Sequence, residues 1–551
     1  MRSLHLRSPN VHPPSTEAVP VAAAAESALP EPEAESALLG AEAEAAFADE
    51  LRAVRPGLLT PYAAELPGAR ASVLTRLWRG LVYEPLPWIT RREPGRDGLT
   101  LHLADGRRLH GPRADPYATT AYATEVDLDG TAYDSAARLM TALAVPGAAA
   151  FAAELQHSAA SLALSRANQP PDDGTWPSTA WRWEQRIVDG HPYHPNCRSR
   201  PGFTVAEQLA YAPEHRPLVA LNLASLHADD CLVTGEWPDR LRDGDRFLVP
   251  VHPWQVAHVL EASSTGRVAG HEKIMAHPLM SLRTLAPASA TLDGTPHIKT
   301  AVSARLTSSV RDISVYSIAT SETVSALVDT LAARLDGLLH ITRTLGAVTA
   351  DSPDLAAVLR ESPETYAPAE SGERVIPVAA LATTSLPRSP AWLADFTRLA
   401  LTVCLRLLDL GVALEAHGQN LLVVLSPANA PVRLVYRDLA DIRISPARLA
   451  RHGIPAPPLT GRLVTDDDTA LRRKLFGSLI TGTLGATAGS TSALRQALST
   501  VVRDLPRTPD LEALLTEPLP TKALTLMRLS RETPGDIWTT VPNPLGPHHR
   551  H

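Results

Sequence analysis

Two apolar runs, NLLVVL (420–425) and VRLVYRDL (432–439), flank the turn segment SPANAP and constrain this chain more than any other stretch. Two β-rich runs joined by a short Pro/Asn/Ser connection form a β-hairpin. Its strands are antiparallel, so the start of the first and the end of the second lie at the same end. Asn420 and Asp438 therefore belong together in space, and LEAHGQN (414–420) delivers Glu415, His417 and Gln419 just ahead of them. Carboxylates, carboxamide and imidazole converge on one end of a rigid element.

The rest of the chain supports an α+β class without regular βαβ alternation. Before the hairpin, AWLADFTRLALTVCLRLLDLG (391–411) sets Leu393, Phe396, Leu399, Ala400, Val403, Leu407 and Leu410 on one apolar face, and Gly411 ends the helix. GLTLHLADGRRLHGP (98–112) reads as a second hairpin around Asp105-Gly106, and 149–168 as a helix. RFLVPVHPWQV (246–256) reads as a buried strand ending in a His-Pro turn, and 297–316 as strand, polar turn and further strand or helix start. Helical spacing from Val324 to Leu338 predicts a helix over 321–344, followed by a loose linker over about 350–388. Residues 1–45, rich in Ala, Glu, Pro and Ser, predict a disordered or loosely helical leader.

At 551 residues the chain exceeds one ordinary core. Its net charge of −7 disfavours a general nucleic-acid binder. Three scattered cysteines argue against a disulfide framework and suit a reducing cytoplasm. Neither a membrane-spanning run nor a secretory signal is visible in the sequence, and the terminal HHRH is set aside.

Two further clusters carry chemistry. HPLMSLRTLAP (277–287) and HIKTAVSARLTSSVR (297–311) interleave Arg283, Lys299 and Arg311 with Ser281, Thr284, Thr307 and Ser308, a pattern suited to phosphates and carboxylates. With no Gly-rich phosphate loop and no Gly-x-Ser-x-Gly elbow, strand-borne side chains must hold any nucleotide, and hydrolase chemistry has no specific support. GHPYHPNCRSRPGF (190–203) spaces His191, His194 and Cys197 like metal ligands but lacks a nearby fourth. Its prolines stiffen an extended loop, which predicts that His194, Arg198 and Arg200 are aimed at an anion. The plan of the first hairpin, an Asn-ended loop followed by a hairpin and an Asp, is also that of protein kinases, where the Asp holds Mg²⁺.

In this order, HPYHPNCRSRPGF, VPVHPWQ, SLRT, HIKTAVSARLTSSVR, EAHGQN and YRD resemble the siderophore synthetases of the aerobactin-synthetase (IucA/IucC) type, which work independently of nonribosomal peptide synthetases. KALTLMRL (522–529) resembles that family's C-terminal helix, and the likeness runs from about 150 to 530. Arg198 stands where the family usually has Lys, and Asp441 where a glycine often follows Arg-Asp.

The resemblance implies a cupped hand: thumb 46–215, fingers 216–390, and palm 391–551 built on the kinase-like hairpin. It implies that a carboxylate attacks the α-phosphate of Mg-ATP, and that an amine or hydroxyl then displaces AMP from the acyl-adenylate. By motif, Ser281, Arg283, Thr284 and Lys299 contact the ATP phosphates, His194 and Arg198 border that pocket, and Gln419, Asn420 and Asp438 serve the nucleotide. Asp438 and Glu415 hold Mg²⁺. Arg311 and His417, with Thr307, grip the carboxylate, and Lys299, Arg311 and His417 carry the catalysis. Citrate is the expected acid, a succinyl- or citryl-monoamide or α-ketoglutarate the alternative, and a polyamine or other amine the expected nucleophile. A homodimer is the candidate assembly. The readings from other classes are a kinase-like phosphotransferase and a non-catalytic citrate- or nucleotide-binding protein.

Overall fold

The computed structural model describes residues 32–261, 272–289, 295–306, 309–530 and 535–546. The leader expected over 1–45 lies outside the described residues as far as 31, and the backbone is helical over Pro32–Val54.

The first body wraps helices around a five-stranded antiparallel meander spanning Ile89–Tyr133. The predicted hairpin is there as Leu99–Leu103 and Arg108–Gly111, and Gly106 takes the positive φ its turn requires. Leu101 and Leu109 face the helix Leu59–Tyr83, whose Leu74, Leu77, Trp78 and Leu81 are fully buried with Phe151 and Leu155 of the helix Ala148–Ala167.

A nine-stranded antiparallel sheet forms the second body, in the order Leu232–Gly235, Thr344–Thr349, Ala356–Arg360, His297–Thr300, Thr284–Pro287, Ile274–Pro278, Val219–His227, Arg246–Val251, Arg242–Asp243. Here the expected linker over 350–388 is corrected. Ala356–Arg360 is an inner strand of this sheet, and Arg374–Pro377 is a strand of the next one. All of AAVLR is buried, so the alternation that marks a half-exposed strand is missing.

The third body is a four-stranded sheet in the order Leu339–Ile341, Pro431–Tyr436, Leu421–Leu425, Arg374–Pro377. The predicted hairpin pairs Leu421 with Tyr436. Against it packs the predicted helix, now Pro390–Asp409, capped by Ser389 and followed by Gly411 at φ +112. The helix expected over 321–344 is shorter and earlier, at Val315–Ala332. It is capped by Ser314 and stopped ahead of a turn in which Asp336 and Gly337 take positive φ. Leu335 and Leu338 still reach the same core, but from that turn, so their helical spacing was coincident.

The C-terminal helix Leu524–Leu529 docks onto the first body. The Glu84 carboxylate accepts from Thr525 N (3.0 Å) and Leu526 N (2.7 Å), satisfying orphan donors of the helix start. Gly80 lets the two helices meet: a Cβ there would lie 2.1 Å from Thr525 Oγ1. Gly80→Ala is therefore expected to destabilise the fold by about 1–3 kcal/mol through overpacking, measured by urea unfolding.

Candidate active site

The hairpin end is a tight polar junction. Asn420 O accepts from Arg437 N (3.0 Å), while Asn420 N and Leu421 N donate to His417 O (2.9 and 3.0 Å), so loop and strands close on one another. Asp438 then turns into the left-handed region at φ 70, ψ 80, a costly conformation for a residue with a Cβ. The turn aims its carboxylate at Lys299, whose Nζ lies 2.8 and 2.9 Å from the two oxygens.

Lys299 lies on the strand His297–Thr300, opposite Thr284 in the neighbouring strand. Between strands Ile274–Pro278 and Thr284–Pro287, Ser281 Oγ accepts from Thr284 N (3.1 Å) and Leu282 takes φ +67. Ser281, Arg283, Thr284 and Lys299 thus share one edge of the cleft. Arg283 donates to the carbonyls of Arg311 and Asp312, which fixes its guanidinium beside Arg311. Arg360, at the end of the strand misread as linker, brings Nη2 to 3.6 Å from Asp438.

Four cations therefore surround one carboxylate. Burial would raise the Asp438 carboxyl, but Lys299 and then Arg360 overcome it and hold the group well below the usual range. Burial pushes the Lys299 ammonium down to about 7 against the pull of Asp438, and Arg283 down to about 10 with Arg311 adding to the push. Such an excess of buried positive charge calls for an anion.

On the far side of Asp438, Glu415 sits 3.4 Å from both Lys474 and Lys522, and 3.8 Å from His417 Nε2. Lys474 is shared with Asp441 (2.7 Å), which also meets Arg443 (3.0 Å); this is what occupies the position where a glycine was expected. Burial puts His194 well below its ordinary value, and desolvation within the cleft lowers His417 and the more exposed His191, so all three imidazoles are neutral at pH 7. For a hard cation the donors present are the Asp438 and Glu415 carboxylates and the Asn420 amide. Among the described residues no three His, Cys, Asp or Glu side chains converge on one point. That set fits Mg²⁺, which keeps phosphate and water ligands beside one or two carboxylates.

The His-Pro loop departs from expectation. His194 is 2% exposed and neither ring nitrogen has a protein partner, so it is a buried polar group with unmet hydrogen bonds. Arg198 has a different task from the anion contact foreseen. Its Nε donates to Val188 O (2.9 Å) and its Nη1 lies 3.3 Å from Glu214, while Arg200 Nη2 donates to the same carboxylate at 2.6 Å. Both guanidiniums face inward and brace the loop because Glu214, from the YAPE segment, is buried between them. Cys197 Sγ accepts from Arg76 Nη1 (2.8 Å), away from any metal role. The VPVHPWQ turn is scaffolding: Trp254 stacks on Phe203 at 4.9 Å, and Gln255 binds Ser303 in the strand leading toward Arg311. Thr307 and Ser308 lie outside the described residues. Arg360, Lys474, Lys522, Glu184 and Glu214 were not singled out from sequence; only Lys522, at the head of KALTLMRL, stood inside a quoted motif.

Comparison with known proteins adds an independent line. Residues 179–383 match the model of the IucA / IucC family, and residues 390–536 match that of the ferric iron reductase FhuF-like transporters. The second stretch holds one cysteine, Cys404, whose buried thiol is pushed up to about 12. The chain is 27% identical over 361 residues to the uncharacterized protein y4xN of Sinorhizobium fredii, covering 52% of this chain and 56% of that protein. It is 22% identical over 400 residues to D-ornithine–citrate ligase of Staphylococcus aureus, covering 59% and 60%. The match to the curated relatives thus spans little more than half of their length. Among solved structures, petrobactin biosynthesis protein AsbB of Bacillus anthracis superimposes with a TM-score of 0.70 at 18% identity, over 89% of this chain and 97% of that one. ATP-bound aerobactin synthetase IucA of Klebsiella pneumoniae gives 0.67 at 19%, over 87% and 99%. These likenesses establish a shared fold.

The loop brace is open to measurement. Burial pushes the Glu214 carboxyl up, but Arg198 and Arg200 overcome it and hold it well below its ordinary 4.5. A depressed carboxyl contributes stability above that value and loses it as pH falls through the folded one. Glu214→Gln leaves two buried arginines unpaired and is expected to cost about 3–5 kcal/mol in urea unfolding at pH 7. The gap from wild type is expected to narrow in strong acid.

Proposed function

Because residues 179–383 match the model of the IucA / IucC family, we propose that this chain is an ATP-dependent siderophore synthetase. It joins a carboxylic acid to an amine or hydroxyl through an acyl-adenylate, releasing AMP and pyrophosphate. The observation that carries the reading is the convergence of Lys299, Arg283, Arg360 and Arg311 on a strained Asp438 where the second and third bodies meet.

Ser281, Arg283, Thr284 and Lys299 would hold the phosphates, joined by Arg360. Gln419 and Asn420 would face the nucleotide, with His194 at the pocket border. Asp438, assisted by Glu415, would hold magnesium, which when bound neutralises charge on the phosphates. Lys299, paired with Asp438 in the free protein, would donate to a phosphate oxygen. Arg311 and His417, with Thr307 as the family motif implies, would orient the acid for in-line attack. A neutral His417 can then accept the proton of the attacking amine. In this reading 46–215 is the thumb, 216–390 the fingers and 391–551 the palm of a cupped hand, with a kinase-like hairpin in the palm.

Citrate is the acid we favour. One relative is named a D-ornithine–citrate ligase, which supports citrate and an amino-acid amine; another, from Bacillus anthracis, is named for joining citryl-spermidine to spermidine, which supports a polyamine and the citryl-monoamide alternative. A cytoplasmic site suits these substrates, and no described helix is long and apolar enough to cross a membrane. The family resemblance makes a homodimer the expected assembly.

Incubation with ATP, citrate and an amine panel is expected to yield AMP and pyrophosphate; ADP without AMP would instead identify a phosphotransferase. Arg311→Ala is expected to raise KM for the acid by about 10- to 100-fold, the worth of a lost hydrogen bond to a charged group, with KM for ATP little changed.

The Lys299 proton gives a pH signature. In the free protein the ammonium is charged below about 7 and neutral above it, so kcat/KM for MgATP is expected to fall as pH rises through that value. Because Asp438 holds that proton in place, Asp438→Asn is expected to move the inflection to lower pH in the same profile.

A further inference from the structure

Glu184 lies on the short helix Ala180–Gln185, ahead of the His-Pro loop, and its side chain is 0% exposed. One oxygen takes Arg437 Nη1 at 2.7 Å; the other takes Arg437 Nη2 at 2.9 Å and the backbone N–H of Met280 at 2.9 Å. A single buried carboxylate thus joins the residue before Asp438 to the residue before Ser281.

Both joined segments are strained. Asp438 holds φ 70 and Leu282 holds φ +67, and neither is glycine. Such conformations persist only where surrounding contacts over-determine them. Arg437 is held three ways: by the bidentate pair with Glu184, by Nε donating to Gln419 O (3.0 Å), and by its own N–H donating to Asn420 O (3.0 Å). The Ser281 turn is held at Met280 N, one residue before it begins.

The helix that carries Glu184 is itself pinned between the two bodies. Trp181 stacks on His277 of the strand leading to Met280, with centroids 3.8 Å apart and planes within 4°. Trp183 is buried in the core around the hairpin and meets Trp176 edge-on at 5.3 Å. Glu184 stands between two anchors and can serve as a fixed reference for the cleft.

Resting on the ATP-ligase reading, we propose that Glu184 is a positioning residue for the nucleotide half of the site: it sets the distance between the Ser281–Thr284 phosphate turn and Asp438 without touching substrate. Arg311 and His417, on the acid side, are not its direct partners and are reached only at one remove, through Arg283 and Asn420. Its loss therefore falls on the ATP half far more than on the acid half, a split that a purely structural ion pair would not produce.

The test compares wild type, Glu184→Gln and the double variant Glu184→Gln/Arg437→Met by thermal melting, calorimetric binding of a non-hydrolysable ATP analogue with Mg²⁺, and separate KM values for ATP and citrate. Replacing a buried ion pair with neutral groups often restores stability, so the double variant keeps the test alive if the single one fails to fold. Both folded variants are expected to lose about 10²-fold in kcat/KM for ATP, the scale of an ångström misplacement, and to bind the analogue more weakly, while KM for citrate stays within about twofold. A double variant with wild-type melting and wild-type ATP kinetics overturns the proposal, as does an equal rise in both KM values. Wild type that neither binds the analogue nor forms AMP sinks the ligase reading itself, and is read before any variant.

Discussion

The ion pair between Lys299 and Asp438 is the contact on which the rest of the cleft depends. It joins a strand of the nine-stranded sheet to the exit of the hairpin in the four-stranded sheet, two bodies with separate hydrophobic cores. A buried pair of this kind contributes little net stability once desolvation is counted. Its value lies in placement. Lys299 is kept out of water while the Asp438 carboxylate stays partly open, within reach of a ligand that can exchange with its partner, and the arginines at 283, 311 and 360 keep the pocket short of negative charge until one arrives.

Burial keeps the imidazoles of this cleft neutral, and crowding cations keep its acids ionised. Three histidines lose their protons to desolvation, while Asp438 keeps its charge only because cations crowd it. The same low-dielectric surroundings that would penalise an isolated charge make each remaining interaction stronger. Two acids, Glu184 and Glu214, serve the frame: each is buried, accepts from arginine, and holds one wall in place.

Much of this was legible in the chain itself, because strand pairing is a local rule. Two apolar runs and a Pro-rich turn placed Asn420 beside Asp438 with no other information. Interleaved cations and hydroxyls marked the strands carrying Arg283, Lys299 and Arg311. What escaped notice depended on partners far away. Arg360 was hidden because a fully buried strand shows no alternation, so its segment read as linker. Arg198 was misjudged because the direction of a side chain depends on Glu214, which no pattern within the loop reveals. Glu184 precedes the His-Pro loop by six residues, yet its meaning depends on Arg437, 253 residues later.

The docking of the C-terminal helix has a consequence for how the molecule comes into being. Glu84 meets Leu526 across a separation of 442 residues, and Tyr117 meets Pro542 across 425. Lys522, beside Glu415, arrives on the same late segment. During synthesis Lys299 and Arg360 leave the ribosome well before Lys522, so the Glu415 side of the cleft can be completed only after that late segment has emerged. Contacts of such sequence separation form slowly. The cationic strands must therefore wait for the residues that close the site.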